Sequence, residues 1–226
     1  MNAADRFDLH VHSRCSPDSS ASLDAVVAAV VESGLRGFAL TDHNTVAGHR
    51  ALAELQRRYP TYLFVPGVEV STHEGHLLAL GVGEAPPARR PVLETIEWVR
   101  AHGGEPILAH PLRRTHGVGE SVARSSPGAA LEVRNGHNGE IANARAELVA
   151  AQRGLGGTGG SDAHAAREVG RAVTETSVSV ATVDDLLEEI RRGRTRGEGR
   201  SLSPWGQARA SLRSAGLRIG RGFRSV

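Results

Sequence analysis

Phe7-Asp8-Leu9-His10-Val11-His12 reads as a short apolar strand that closes on two histidines. Side chains alternate between faces along a strand, so His10 and His12 project from the same side. Two imidazoles presented in this way suit one metal ion. The pattern of a strand running into polar residues recurs down the chain. Gly37-Phe38-Ala39-Leu40 leads into Thr41-Asp42-His43-Asn44, and Ile107-Leu108-Ala109 leads into His110. Glu69 lies within Gly67-Val68-Glu69-Val70-Ser71, and a glycine-rich strand ending at Gly160 leads into Ser161-Asp162-Ala163-His164. Asp162 and His164 repeat the spacing of His10 and His12.

Between these strands the apolar spacing predicts helices over residues 23–33, 45–58, 92–102, 140–153 and 183–192, the first stopped by Gly34 as a C-cap. Further strands are predicted over 62–65 and 68–71, on either side of Pro66-Gly67, and over 76–82, 130–134 and 171–180. The long irregular stretches are 84–91 and 116–128. Strands alternating with helices imply parallel βαβ units. About seven such repeats, without a dinucleotide-type glycine turn, favour an α/β fold of the distorted (β/α)7 barrel kind over a doubly wound sheet. Parallel barrels carry their sites at the C-terminal ends of the strands. The scattered histidines and carboxylates are therefore expected to meet at one mouth.

Composition sets the outer limits. At 226 residues, 39% hydrophobic and 23% charged, the chain has the size and balance of one globular domain. No stretch approaches the roughly 18 apolar residues that a membrane span needs. Met1-Asn2-Ala3-Ala4-Asp5-Arg6 lacks the basic and apolar regions of a signal peptide. A single cysteine, Cys15, allows no internal disulfide. A cytoplasmic location is expected. The last 36 residues hold ten arginines against one acid, Glu198, whereas the preceding 190 hold 24 acids against 17 arginines. The expected organisation is a barrel over residues 1–196 with an Arg-rich tail over 197–226. Trp205, Leu212, Leu217, Ile219 and Phe223 among those arginines suit a short amphipathic helix. It could meet nucleic acid, an acidic membrane face or the acidic body of its own protein, or stay solvated.

A lone histidine at a strand end is more often a satisfied polar residue than a ligand. Several such signals, each beside an Asp or Glu, point instead to a metal centre. Mixed imidazole and carboxylate donors suit zinc, iron or manganese. The other histidines sort differently. His49 and His102 fall within helices, and His73-Glu74-Gly75-His76 lacks the spacing of a zincin helix. His116 and His137 lie in loops that could touch substrate.

Taken together, Asp8-Leu9-His10-Val11-His12-Ser13, Thr41-Asp42-His43-Asn44, Gly67-Val68-Glu69-Val70-Ser71, Gly75-His76-Leu77-Leu78, Ala109-His110-Pro111 and Gly160-Ser161-Asp162-Ala163-His164 resemble the PHP (polymerase and histidinol phosphatase) phosphoesterases. The resemblance runs in order across residues 5–195, and Glu168-Val169-Gly170-Arg171-Ala172 looks like small stand-alone members. It implies a distorted seven-stranded barrel carrying two or three divalent transition metals, manganese, iron or zinc. By that likeness His10, His12, Glu69 and Asp162 hold one ion. Glu69 bridges to a second, bound also by His76 and His110, and Asp18, His43 and His164 hold a third. Asp42 orients a ligand rather than binding metal. Arg14, Arg113 and Arg134 are candidate phosphate clamps, and His137 and Arg134 join Asp42 as supporting catalytic residues.

The implied reaction is hydrolysis of a phosphate ester by a metal-bound hydroxide. A small phosphorylated metabolite or nucleotide ranks first as substrate, because no large specificity domain is inserted and aromatic content is only 4%. Exonucleolytic trimming of short oligonucleotides ranks second. A C–N amidohydrolase with a carboxylated-lysine bridge is excluded, since the chain contains no lysine. A non-catalytic metal-binding barrel would show lost ligands, and all nine positions hold competent ones.

Overall fold

The computed structural model describes residues 4–220 of the chain. Strands β1 (Arg6–Val11), β2 (Gly37–Leu40) and β3 (Leu63–Ser71) run parallel, separated by helices α1 (Leu23–Glu32) and α2 (His49–Arg58). Strand β4 (His76–Leu80) then runs antiparallel to β3 and to β5 (Glu105–Leu108), which α3 (Val92–Ala101) precedes. Strands β6 (Ala130–Asn135) and β7 (Gly157–Gly160) continue parallel to β5, with α4 (Glu120–Ser125) and α5 (Glu140–Gln152) between. Finally β8 (Ala172–Thr176) and β9 (Thr195–Gly199) are antiparallel additions flanking α6 (Val183–Arg191), and α7 (Pro204–Gly220) follows.

Seven strands, β7-β6-β5-β4-β3-β2-β1, form the curved wall in that order, and β8 and β9 extend it. The wall nearly closes on itself. At the mouth His12 N–H donates to Ala163 O at 2.9 Å, bringing β1 against the end of β7. At the opposite end β8 fills the gap between them, pairing with Arg6 and Phe7 and bonding Gly159 through Thr174 Oγ1 at 2.8 Å. The expected α/β barrel is therefore present. Its interior and the layers under the helices are filled by buried aliphatics, among them Leu9, Val65, Leu78 and Ile107 within the sheet and Val26, Val30 and Leu52 beneath α1 and α2.

The sheet departs from the all-parallel expectation for a covalent reason. Only residues 72–75 join β3 to β4, and a parallel crossover needs about a dozen residues. The reversal puts His76, at the start of β4, at the same end of the barrel as the finish of β3. Pro66-Gly67 does not break the chain into two strands. Leu63 to Pro66 pair with β2 and Gly67 to Ser71 pair with β4, so the dipeptide marks where one continuous strand changes partners. Helix α2 begins at His49 rather than at 45, and the strand predicted over 171–180 stops at Thr176. Strand β9 and the short α4 are elements that the apolar pattern missed. Thr195-Arg196-Gly197-Glu198-Gly199 offers little apolar signal and is held by its ladder with β8, and it spans the boundary drawn at residue 196 between barrel and tail. The tail forms a helix through Gly220, while Phe223 lies outside the described residues.

Candidate metal centre

Each strand delivers its polar residues to the mouth, where the nine expected positions come together. Glu69 stands at the middle. Its Oε2 lies 3.3 Å from His10 Nε2, 3.2 Å from His12 Nε2 and 3.1 Å from His43 Nδ1. Its Oε1 lies 2.7 Å from His76 Nδ1 and 3.0 Å from His110 Nε2. Asp162 Oδ1 is 3.6 Å from His10 Nε2, 3.4 Å from His12 Nε2 and 3.5 Å from His164 Nδ1. Asp18 spans His43 and His164, each at 3.5 Å. All nine residues are buried.

The separations of 3.2–3.6 Å suit cation coordination, whereas His76 and His110 lie at hydrogen-bond distance from Glu69 Oε1. Bonds of about 2.0–2.2 Å in tetrahedral array place neighbouring donor atoms roughly 3.3–3.6 Å apart. His10 Nε2, His12 Nε2, His43 Nδ1 and Glu69 Oε2 are buried yet engage in no hydrogen bond. Leaving four such atoms unsatisfied beside one another costs folding energy, which a shared cation would recover. Three-residue sets able to share one ion include His10-His12-Glu69, His43-Glu69-His76, His10-His110-Asp162 and His12-His43-His164.

Electrostatics agree with this arrangement. Burial lowers the Glu69 carboxyl's affinity for charge, but His76, His10 and His43 hold its pKa well below the ordinary value. Asp162 is likewise held low against burial by His10 and Arg113, and Asp18 by His164 and His43. Burial also opposes charging of His12, yet the Asp162 and Glu69 carboxylates beside its Nε2 push it up to about 10, so this pocket of carboxylates draws positive charge. Burial dominates at His43 and His110, lowering them to about 4 and about 3 and keeping the imidazoles neutral, as metal binding requires.

The backbone is bent to serve the site. His110 and Asp162 adopt φ of 31° and 57°, a left-handed region sparsely populated by non-glycine residues and commonly found where function demands it. Gly160 explains the glycine-rich strand, because a Cβ there would come within 2.4 Å of His10 Cβ.

Outside the nine, Asp42 accepts hydrogen bonds from Ser13 N, Ser13 Oγ and Ser16 Oγ at 2.7–2.8 Å, and Ser16 Oγ lies 3.1 Å from His12 Nδ1. Asp42 therefore reaches His12 through a serine. His137 lines the cavity over the centre, its ring stacked on His164 at 5.6 Å. Arg113 also lines that cavity and bonds Asp162 Oδ2 at 2.7 Å. Arg134 is not brought to the site. A bulge between Glu132 and Arg134 resets the alternation of β6, and Arg134 turns outward to Glu147 and Glu140. Arg14 is exposed and bonds Ser20 O. His116 stacks on His76 at the rim, whereas His49 bonds Gly67 O and His102 stacks on Trp98.

Sequence reasoning missed two buried carboxylates. Glu132 Oε1 lies 3.0 Å from His10 Nδ1 and Oε2 accepts His110 N–H at 2.7 Å. Asp8 accepts Ser161 N–H and Gly170 N–H, each at 2.8 Å, tying β1 to the loop that carries Asp162, and burial raises its pKa to about 6. The available signal was an acid inside an apolar strand, since Asp and Glu are almost never fully buried unless paired.

Known proteins match this chain along most of its length. The PHP domain family matches residues 8–107 and the PHP-associated family residues 140–195. An uncharacterized protein of Methanocaldococcus jannaschii is 30% identical over 116 residues, 47% of this chain and 67% of its own length. A 5′-3′ exoribonuclease of Salmonella typhimurium is 34% identical over 144 residues, 60% of this chain. A phosphoribosyl 1,2-cyclic phosphate 1,2-diphosphodiesterase of Eggerthella lenta is 39% identical over 87 residues, 36% of this chain. The matches span 47% and 32%, respectively, of those two enzymes. Among solved structures, PsfC from Pseudomonas syringae superposes with a TM-score of 0.68 at 20% identity, covering 97% of this chain and 99% of PsfC. An amidohydrolase from Chromobacterium violaceum gives 0.62 at 19%, covering 84% and 96%. At such identities these two likenesses speak to the fold alone. No helix among the described residues is long and apolar enough to cross a membrane. Two family matches in sequence, a barrel of the same fold and a histidine–carboxylate cluster at its mouth together place this chain in the PHP-domain family of metal-dependent phosphoesterases.

Proposed function

We propose that the chain is a phosphomonoesterase acting on a small phosphorylated metabolite or a nucleotide, with His10, His12, Asp18, His43, Glu69, His76, His110, Asp162 and His164 holding two or three ions of manganese, iron or zinc. The observation that carries this reading is the convergence of five imidazoles on the two oxygens of Glu69, all within 3.3 Å. Bound divalent ions would acidify a water and draw charge from the phosphoryl oxygens.

The chain's own residues do the rest. Glu132 and Ser16 hold the Nδ1 atoms of His10 and His12, leaving each Nε2 to face the centre. Arg113, Arg114 and Arg145 line the cavity beside the centre and favour an anion there. Arg113 also donates directly to Asp162 Oδ2 at 2.7 Å and is itself held by Asn135 Oδ1 and Asn138 Oδ1 at 2.6 and 2.8 Å. His137, beside His164 at the cavity wall, would hand a proton to the departing oxygen, a role supported by its ring stacking on His164 and its place in the cavity lining.

The competing reading is exonucleolytic trimming of short RNA, the activity named for the Salmonella relative. One panel tests both: phosphomonoesters and nucleotides against a 5′-phosphorylated short RNA, with manganese added. Faster turnover of the monoesters supports the proposal. Turnover confined to the RNA would replace it with the exonuclease, and no turnover with any ester would remove both.

A further inference from the structure

The cavity over the metal centre measures about 870 Å³, within the roughly 300–1,000 Å³ of small-molecule sites. One wall of it is not barrel at all. It is α7, whose Gln207, Ser211 and Ser214 line the cavity together with His43, His76 and His164. The helix is docked just before its start and along its first ten residues. Leu202 N–H donates to Asn138 O at 3.1 Å just before it, and Gln207 Nε2 lies 3.0 Å from where a Cβ on Gly139 would stand. Further along, Arg213 bonds both oxygens of Glu168 at 2.7 and 2.9 Å, and Glu168 in turn accepts the backbone N–H of His164.

The chemistry of that wall is selective. Among the described side chains no arginine of α7 lines the cavity: Arg213 is engaged by Glu168 and Arg209 is exposed. A wall of amide, hydroxyl and methyl groups, with the aliphatic side chain of Ile219 at its far end, lacks the basic track and stacking rings that follow a nucleic-acid backbone. It suits instead the hydroxyls of a compact polar group. Among the described residues the cavity's positive charge comes from the barrel side: Arg113 and Arg114 in the loop after β5, and Arg145 on α5, which is paired with Glu120. We infer that α7 encloses the leaving group, that Gln207, Ser211 and Ser214 contact it, and that the helix restricts substrates to a phosphoryl group on a single nucleoside or sugar. This rests on the phosphomonoesterase reading above.

The test keeps the full chain. Ser211→Trp fills the cavity from α7, and Leu212→Trp places the same bulk on the solvent side, where Leu212 is 74% exposed. With adenosine 5′-monophosphate and manganese, Ser211→Trp raises KM by about tenfold or more, as loss of a fitted contact does. Leu212→Trp stays within about twofold, as surface changes do. A second readout needs no turnover: in a Cys15→Ser background, the phosphonate analogue of the nucleotide slows maleimide labelling of Ser211→Cys and leaves Leu212→Cys unchanged. If the wild type hydrolyses the nucleotide but both tryptophan variants match it, or labelling is not slowed, the role of α7 is overturned and the phosphomonoesterase reading stands. If the wild type hydrolyses no monoester and the phosphonate protects nothing, both fall.

Discussion

Glu132 Oε1 lies 3.0 Å from His10 Nδ1, both groups fully buried, while the second oxygen of the same carboxylate takes the backbone N–H of His110. One acid thus orients two candidate ligands from two strands. A carboxylate at Nδ1 favours a proton there and so leaves His10 Nε2 as the atom able to ligate a cation beside Glu69. Glu132→Gln keeps the volume and removes the charge. Outer partners of this kind are worth about 10–100-fold in metal affinity. Manganese or zinc titration should show that loss while the far-ultraviolet circular dichroism is unchanged. Wild-type affinity in the variant would show that Glu132 is only structural.

His12→Ala and Asp162→Ala are expected to abolish phosphoester hydrolysis and to reduce the metal retained on purification, because both residues share one set of donors with His10 and Glu69. Two controls separate this from general damage. The His49 ring bonds Gly67 O, away from the nine residues, so His49→Ala should cost about 1 kcal/mol of stability and leave turnover intact. Arg134 pairs with Glu140 and Glu147 on the outer face, and Arg134→Ala should likewise spare turnover. Loss in either control matching His12→Ala would mean the histidines and arginines are sorted wrongly.

Much of this was legible in the sequence, and the omissions have physical causes. Most of the nine site positions could be found because they fall where an apolar run starts or stops, which in a barrel is one end of the molecule, whereas Glu69 lies inside β3 and Asp18 in a loop, and Asp18 was reached only through the family resemblance. Glu132 and Asp8 were hidden inside such runs. Arg134 looked like a clamp because it sits one residue before the end of β6, but a backbone bulge, invisible to side-chain periodicity, turns it outward. Strand β9 is held by main-chain pairing and carries almost no apolar pattern to read. The antiparallel turn of β4 could have been foreseen from the brevity of residues 72–75.

Arg113 was one of three arginines offered as phosphate clamps, and it alone is wedged between the cavity and a candidate ligand. Hydrogen bonds to charged groups contribute about 1.5–3 kcal/mol, so Arg113→Ala should lower kcat/KM by roughly 10–100-fold. Arg113→Lys retains the charge without the planar fork that spans Asp162, Asn135 and Asn138, and should recover only part of the loss. Equal activity in Arg113→Lys and wild type would reduce the residue to a point charge. No loss in Arg113→Ala would remove it from the site.

Glu105 gives a pH dependence separable from the metal centre. It begins β5, its side chain is 1% exposed, and Arg100 and Arg191 both reach it. Burial nevertheless prevails over the two guanidinium groups and raises its pKa from 4.5 to about 7. A carboxyl whose folded pKa is raised binds its proton more tightly in the native state. Its contribution to stability is therefore complete below about pH 4.5 and is lost as pH climbs through about 7. At about 1.4 kcal/mol per unit the loss is at most about 3 kcal/mol. Glu105→Gln carries no such titration. The melting temperature of the variant should rise relative to wild type between about pH 5 and 8. A difference that stays flat across that range, or that moves toward the wild type, would mean that the two arginines outweigh burial and that the carboxyl is ionised throughout.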